Sequence, residues 1–207
     1  ADPARLTDRL GARWALAETS FKYHASCRHT HPAADALLAV MREQCLQASQ
    51  ITRVVAHVHQ SALDILGPIS QPATVLQSKF CMGHVLAIAA LRGRAGLRDF
   101  DACFADPAVL SFREKVRMRL DAQIEACYPA RWIGKVTVGT TDGRELDARV
   151  DEPKGDPGNS PTRAEIEEKF LQLATYAGAA RADEVPRLME RVWNLEDTAR
   201  IGMILAA

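Results

Sequence analysis

The chain has no surplus of charge of either sign. Its 26 Lys and Arg balance 26 Asp and Glu, for a formal net charge of zero. A nucleic-acid binder ordinarily shows a basic excess or a basic stripe interleaved with aromatics. Neither is present, so no nucleic-acid partner is expected. No apolar run reaches the length of a membrane-spanning helix, and no charged-then-apolar leader opens the chain. No membrane partner is expected either, and the expected location is cytoplasmic. The five cysteines, Cys27, Cys45, Cys81, Cys103 and Cys127, are odd in number and scattered, with no C-x-x-C pair. This argues against a disulfide framework and fits reduced thiols. A phosphate loop of Walker spacing is missing: Lys154-Gly155-Asp156-Pro157 reads as a turn. No internal repeat is present.

What is there is an ordinary globular composition, 47% apolar and 25% charged over 207 residues. That length allows one or two domains with a real core. Residues 4–13 read as a short amphipathic helix and residues 14–22 as a strand. Pro32 reads as the first residue of a helix running to about Gln47, with Leu37, Leu38, Met41 and Cys45 at helical spacing. Ile51 to His59 alternates as a strand, placing Thr52, Val54, Ala56 and Val58 on one face and His57 and His59 on the other. Thr74 to Leu91 reads as one long buried helix closed by Arg92-Gly93. Two shorter helices, 97–104 and 107–118, follow. Residues 135–150 form the clearest hairpin, turning at Asp142-Gly143. A Pro/Gly-rich stretch then leads to Thr162 and Glu165, a capping box. The helix behind it carries Ile166, Phe170, Leu173 and Ala177 as a stripe, and a last helical segment spans about 185–205. The expected fold is α+β: an antiparallel sheet with helices on one face. The expected division is a domain over 1–153, a linker over 154–161 and a helical segment over 162–207.

The chemistry concentrates in Phe21-Lys22-Tyr23-His24-Ala25-Ser26-Cys27-Arg28-His29-Thr30-His31-Pro32. Lys, Arg, Cys and three His run directly into a helix start, whose free N–H groups and positive dipole end favour an anion such as a carboxylate. The alternative is an ordinary strand–loop–helix joint with solvated charges. The H-x-H pair His57 and His59 has the shape of a chelate, but no third ligand is evident. No metal is expected.

Lys22, Cys27, Arg28, Thr30, His31 and Pro32 resemble the lysine-to-His-Pro motif of the MmgE/PrpD family. That family includes 2-methylcitrate dehydratases, cis-aconitate decarboxylases and iminodisuccinate epimerases. Lys79-Phe80-Cys81 with Gly83-His84-Val85, Lys154-Gly155-Asp156-Pro157 and Lys169-Phe170 agree in order and spacing. The resemblance is to the family's C-terminal half. It implies a lid-like α+β domain that covers the active site of a helical domain, no cofactor, and a small carboxylic-acid substrate. The helical domain, or a subunit carrying it, is then an implied partner.

The resemblance assigns an active-site role to Lys22, whose ammonium suits a substrate carboxylate. Arg28 reads either as a bidentate clamp or as a surface charge. His31 reads either as a proton carrier or as a cap that packs under the loop. His24 stands where many family members have Tyr, and is placed with the substrate-binding residues. Cys27 stands where dehydratase-like members carry Cys and decarboxylase-like members carry His. It joins the binding residues, and no covalent chemistry is implied. His84 stands where the family places an active-site Tyr, and is either a hydrogen-bond donor to a developing enolate or a buried core imidazole.

The expected function is therefore the C-terminal part of a cofactor-free, dehydratase-like lyase. Epimerisation, isomerisation or decarboxylation would use the same site. The alternative is a non-catalytic family member serving assembly or ligand binding. A homodimer is expected, because the apolar stripes of 162–207 need a cover.

Overall fold

A computed structural model describes residues 2–178, 180, 181, 183–198 and 200–203. It divides into two compact units, Ala1–Ser160 and Pro161–Ala207.

In the first unit, residues 2–22 are exposed. The expected helix over 4–13 is only a 3-10 turn, Pro3–Leu6, followed by Arg9 and Gly11 at positive φ. Leu6 and Leu10 pack on nothing, and a short helix without a docked face is marginal in water. The expected strand over 14–22 is likewise a 3-10 turn, Ala15–Glu18, with no place in the sheet.

Helix α1, His31–Glu43, begins one residue before Pro32 and buries Ala33, Ala34, Ala36, Leu37 and Val40. It ends before Cys45, which is exposed and takes φ 51° rather than continuing the stripe. Strand β1, Ile51–Val58, follows. An irregularity between Ile51 and Arg53 shifts the register, so Ile51 rather than Thr52 joins Val54, Ala56 and Val58 in the core. Helix α2, Gln60–Leu66, comes next.

The long helix expected over 74–91 is broken into α3, Val75–Ser78, and α4, Met82–Arg92. The carbonyl of Lys79 accepts the N–H of Cys27 at 2.8 Å instead of continuing the helical ladder. Gly83 lets α4 lie against Arg113, whose carbonyl would stand 2.9 Å from any Cβ there. Gly93, at φ 78°, ends α4 in the left-handed conformation that glycine tolerates best. Helices α5, Leu97–Ala102, and α6, Pro107–Arg113, follow.

The helix expected over 107–118 stops at Arg113. Val116–Leu120 is instead strand β2, paired parallel to β1 with Val54 opposite Val116. After α7, Ala122–Cys127, come β3, Gly134–Thr140, and β4, Glu145–Val150. The sheet order is β2-β1-β3-β4, with β1–β3 and β3–β4 antiparallel. The sheet is therefore mixed, not purely antiparallel. The parallel pair becomes possible because the helices from α2 to α6 supply the long crossover it requires. The hairpin turns where expected. Gly143 donates to the carbonyl of Thr140 at 3.1 Å and takes φ 83°, so three residues rather than two make the turn.

Val54, Ala56, Val116, Val136 and Val138 line the apolar face of the sheet, against α1 and α4. Leu37, Leu86, Ile88 and Phe100 are fully buried in the same core. Each such side chain contributes about 1.5–3 kcal/mol by leaving water.

Residues 154–160 of the expected 154–161 linker are anchored to this unit. Asp156 is buried, and Lys154 and Gly155 make backbone bonds to Asp35 and Asn159.

The second unit holds α8, Arg163–Ala174, and α9, Glu184–Trp193. Thr162 and Glu165 form the expected reciprocal cap. The guanidinium of Arg163 lies 4.5 Å from the Trp193 ring centre. Helix α9 ends at Trp193, and only 3-10 turns follow among the described residues. The expected helical run to 205 ends in residues outside the described set, and so does the side chain of Ala177. Among the described residues, no helix is long and apolar enough to cross a membrane.

Candidate functional site

The loop from Lys22 to His31 is stitched to the body of the first unit at three backbone points. Phe21 donates to Gly155, Ala25 to Ala95, and Cys27 to Lys79, each at 2.8 Å. Inside the loop the Thr30 hydroxyl donates to the Cys27 carbonyl at 2.8 Å, and Ser26 Oγ donates to Thr30 Oγ1 at 2.8 Å. Polar side chains that elsewhere favour disorder are here spent on fixing one conformation.

Lys22 is exposed, and it has no hydrogen bond or ion pair among the described residues. Arg28 is different. Its Nη2 donates to Asp156, its guanidinium carbon lies 5.2 Å from the Trp132 ring centre, and only 17% of its side chain is exposed. This ion pair fastens the segment that carries Asp156 to the loop.

His24 is fully buried. Its Nδ1 accepts the N–H of Ala95 at 3.1 Å, so the ring proton is on Nε2, which donates to Asp35 Oδ1 at 3.0 Å. Both of its ring nitrogens are therefore committed. His31 is also fully buried, with its edge against the His24 ring at a centroid distance of 5.2 Å. Its Nε2 faces the Ser26 carbonyl at 3.4 Å, and its Nδ1 has no partner. Burial pushes its pKa down to about 2, helped by the neighbouring His24, Arg28 and Lys22. It is a neutral, buried ring near pH 7 that packs under the loop. The charges of Lys22 and Arg28 both act on His31, and of the three side chains only Lys22 is exposed.

A sequence profile of the MmgE/PrpD C-terminal domain matches residues 24–195. The chain belongs to the MmgE/PrpD family. No curated protein matches it in a sequence comparison.

In this MmgE/PrpD domain the second motif, Lys79 to Val85, lies beside the first through the Cys27–Lys79 bond. Cys27 is half-buried. Phe100 organises the neighbourhood: Lys79 Nζ is 5.7 Å from its ring centre, and the His84 ring stacks over it at 6.4 Å. His84 is fully buried between Phe100 and Phe104, and neither ring nitrogen has a partner. Burial and the nearby Arg113 charge push its pKa down to about 4. Near neutral pH it offers a neutral N–H and a bare acceptor. Two unsatisfied buried nitrogens cost free energy, and natural cores rarely leave them without a use.

His57 and His59 do not act as a pair. His57 Nε2 donates to Thr137 at 2.9 Å, and Thr137 in turn donates to Asp147 at 2.6 Å. His59 lies beyond the strand and caps α2 by accepting the N–H of Ala62 at 3.3 Å. Its other nitrogen donates to His29 at 3.3 Å, while its ring stacks on Tyr128 at 3.7 Å. Burial lowers the pKa of both His29 and His59.

Asp35, which bonds to His24 and to the backbone of Lys154, was not singled out from the sequence, and Lys79 and His29 were given no separate role there. Asp35 carried a usable signal, being an acidic residue in the second turn of a helix that follows three imidazoles.

Proposed function

We propose that this chain supplies the carboxylate-binding side of a cofactor-free, dehydratase-like lyase acting on small di- or tricarboxylic acids such as 2-methylcitrate. The observation that carries this reading is the contrast between the two cations of the motif. Arg28 is neutralised by Asp156, whereas Lys22 stands unpaired and outward on a rigid loop. An exposed, unneutralised ammonium on a fixed backbone suits an incoming carboxylate.

In such a reaction a base removes the proton beside a carboxylate, the charge passes into that carboxylate, and the β-hydroxyl leaves. Lys22 would stabilise the dianionic intermediate, in which charge develops on the carboxylate it holds. His84, neutral and uncommitted, would donate a hydrogen bond to the leaving hydroxyl once the ring is reached. Cys27, half-buried on the same loop as Lys22, would add to the binding surface. The base is assigned to the family's helical domain. The carboxylates next to the motif, Asp35 and Asp156, are already occupied by His24, Lys154 and Arg28.

That occupancy favours one alternative, a ligand-binding or assembly module without turnover. Calorimetric titration with 2-methylcitrate tests the shared part of both readings. Saturable binding that is lost in Lys22→Met supports them, and binding indifferent to that change refutes them. Turnover by the chain combined with an MmgE/PrpD helical domain, followed by ultraviolet absorbance of the new conjugated alkene, separates the two.

A further inference from the structure

Asp35 stands in the second turn of α1 with 12% of its side chain exposed. Its two oxygens take donors from distant parts of the chain. Oδ1 accepts Nε2–H of His24 at 3.0 Å, and Oδ2 accepts the backbone N–H of Lys154 at 2.6 Å. Both donors lead to Lys22. His24 lies two residues after it. Lys154 precedes Gly155, whose carbonyl accepts the N–H of Phe21, the residue before Lys22, at 2.8 Å. Gly155 permits that approach because it takes φ 102° and because a Cβ there would lie 2.1 Å from the Phe21 carbonyl oxygen. His24 cannot swing away, since its Nδ1 is held by Ala95.

We propose that Asp35 is a positioning residue for Lys22: one carboxylate ties both flanks of Lys22 to α1 and so fixes the origin of the ammonium. This rests on the reading of Lys22 given above. A lysine stem already loses rotamer freedom on binding, and a wandering backbone would add to that loss. Clamping the backbone beforehand removes the second cost. An amide cannot do the same work. Asn presents one acceptor and one donor where two N–H groups point in, so one contact is lost.

The test uses the full chain and the variants Asp35→Asn, Lys22→Met and their combination. In Asp35→Asn, amide exchange at Phe21 and Lys154 should quicken roughly tenfold to a hundredfold, the effect of losing a charged acceptor. Val54 and Val138 in the sheet should be unchanged. Uniform quickening, sheet included, overturns the proposal, because it marks a merely structural role. Citrate titration followed by NMR supplies the second readout. Asp35→Asn should weaken citrate binding about tenfold when Lys22 is present, and should add nothing in the Lys22→Met background. Additive losses overturn the proposal. If the unmodified chain binds no citrate, the reading of Lys22 fails, and the exchange pattern alone decides whether Asp35 clamps the loop. Should Asp35→Asn not fold, His24→Asn keeps an acceptor for Ala95, removes the donor to Asp35, and is judged by the same two readouts.

Discussion

Asp156→Asn separates the two cations of the motif most sharply. The substitution keeps the shape of the side chain and removes its charge. Arg28 is then left with 17% of its side chain exposed, one nitrogen already without a partner, and only a neutral amide oxygen and the Trp132 face to offset its charge. Breaking a fully buried pair by removing one partner costs about 3–5 kcal/mol, and an exposed pair costs about 0–1. This pair lies nearer the buried limit, so about 3 kcal/mol is expected. For a unit of this size that lowers Tm by about 6–12 °C. Urea unfolding followed by far-ultraviolet circular dichroism measures it. The double variant Arg28→Met/Asp156→Leu should recover most of the loss, since no lone charge is then left inside. A loss under about 0.5 kcal/mol for Asp156→Asn would refute the reasoning, and would return Arg28 to the pool of free substrate clamps.

Leu37→Ala, at a fully buried position of α1, should cost about 2–5 kcal/mol in the same assay. His84 has a folded pKa of about 4, below the ordinary value near 6.5 of an unfolded chain. The unfolded state therefore takes up its proton first as pH falls, and stability drops from about pH 6.5 down to about pH 4 and no further on this account. His84→Leu should remove about 2 kcal/mol of the difference between pH 7 and pH 5; an unchanged difference counts against a neutral buried ring. Thiol labelling should modify Cys45 first, Cys27 and Cys127 next, and Cys81 and Cys103 last, with burial also raising the Cys81 pKa. Light scattering should show a dimer that becomes a monomer when residues 161–207 are deleted. A monomer before deletion would end the expectation of self-association.

The elements that the sequence announced correctly are those whose local chemistry and tertiary fate agree. Pro32 at a helix start, Gly93 at a helix end, Gly143 in a hairpin and Thr162 with Glu165 at a cap each act within a few residues of themselves. The missed elements depend on partners far away. Val116-Arg117-Met118-Arg119-Leu120 alternates over five residues, too few to outweigh the helical pattern before it, and becomes a strand because β1 offers an open edge. The break at Lys79 depends on Cys27, 52 positions earlier, taking its carbonyl. The N-terminal segment had the pattern of structure and no surface to pack on. For the site, residue type drew attention to one loop, and the structure distinguishes the residues within it. Whether Arg28 is a clamp or a surface charge was open in the sequence, and it is the arrival of Asp156, 128 positions later, that pairs Arg28 while Lys22 stays exposed. His24 and His31 look reactive, but both rings are buried, and both nitrogens of His24 are committed.

The most direct measurement is dehydration of 2-methylcitrate by this chain combined with an MmgE/PrpD helical domain, comparing the unmodified chain with Lys22→Met. Losing the cation that holds the reacting carboxylate should lower kcat/KM about a hundredfold or more, while the unmodified combination turns over and neither part does so alone. A Lys22→Met combination that turns over like the unmodified one would contradict the assignment of Lys22.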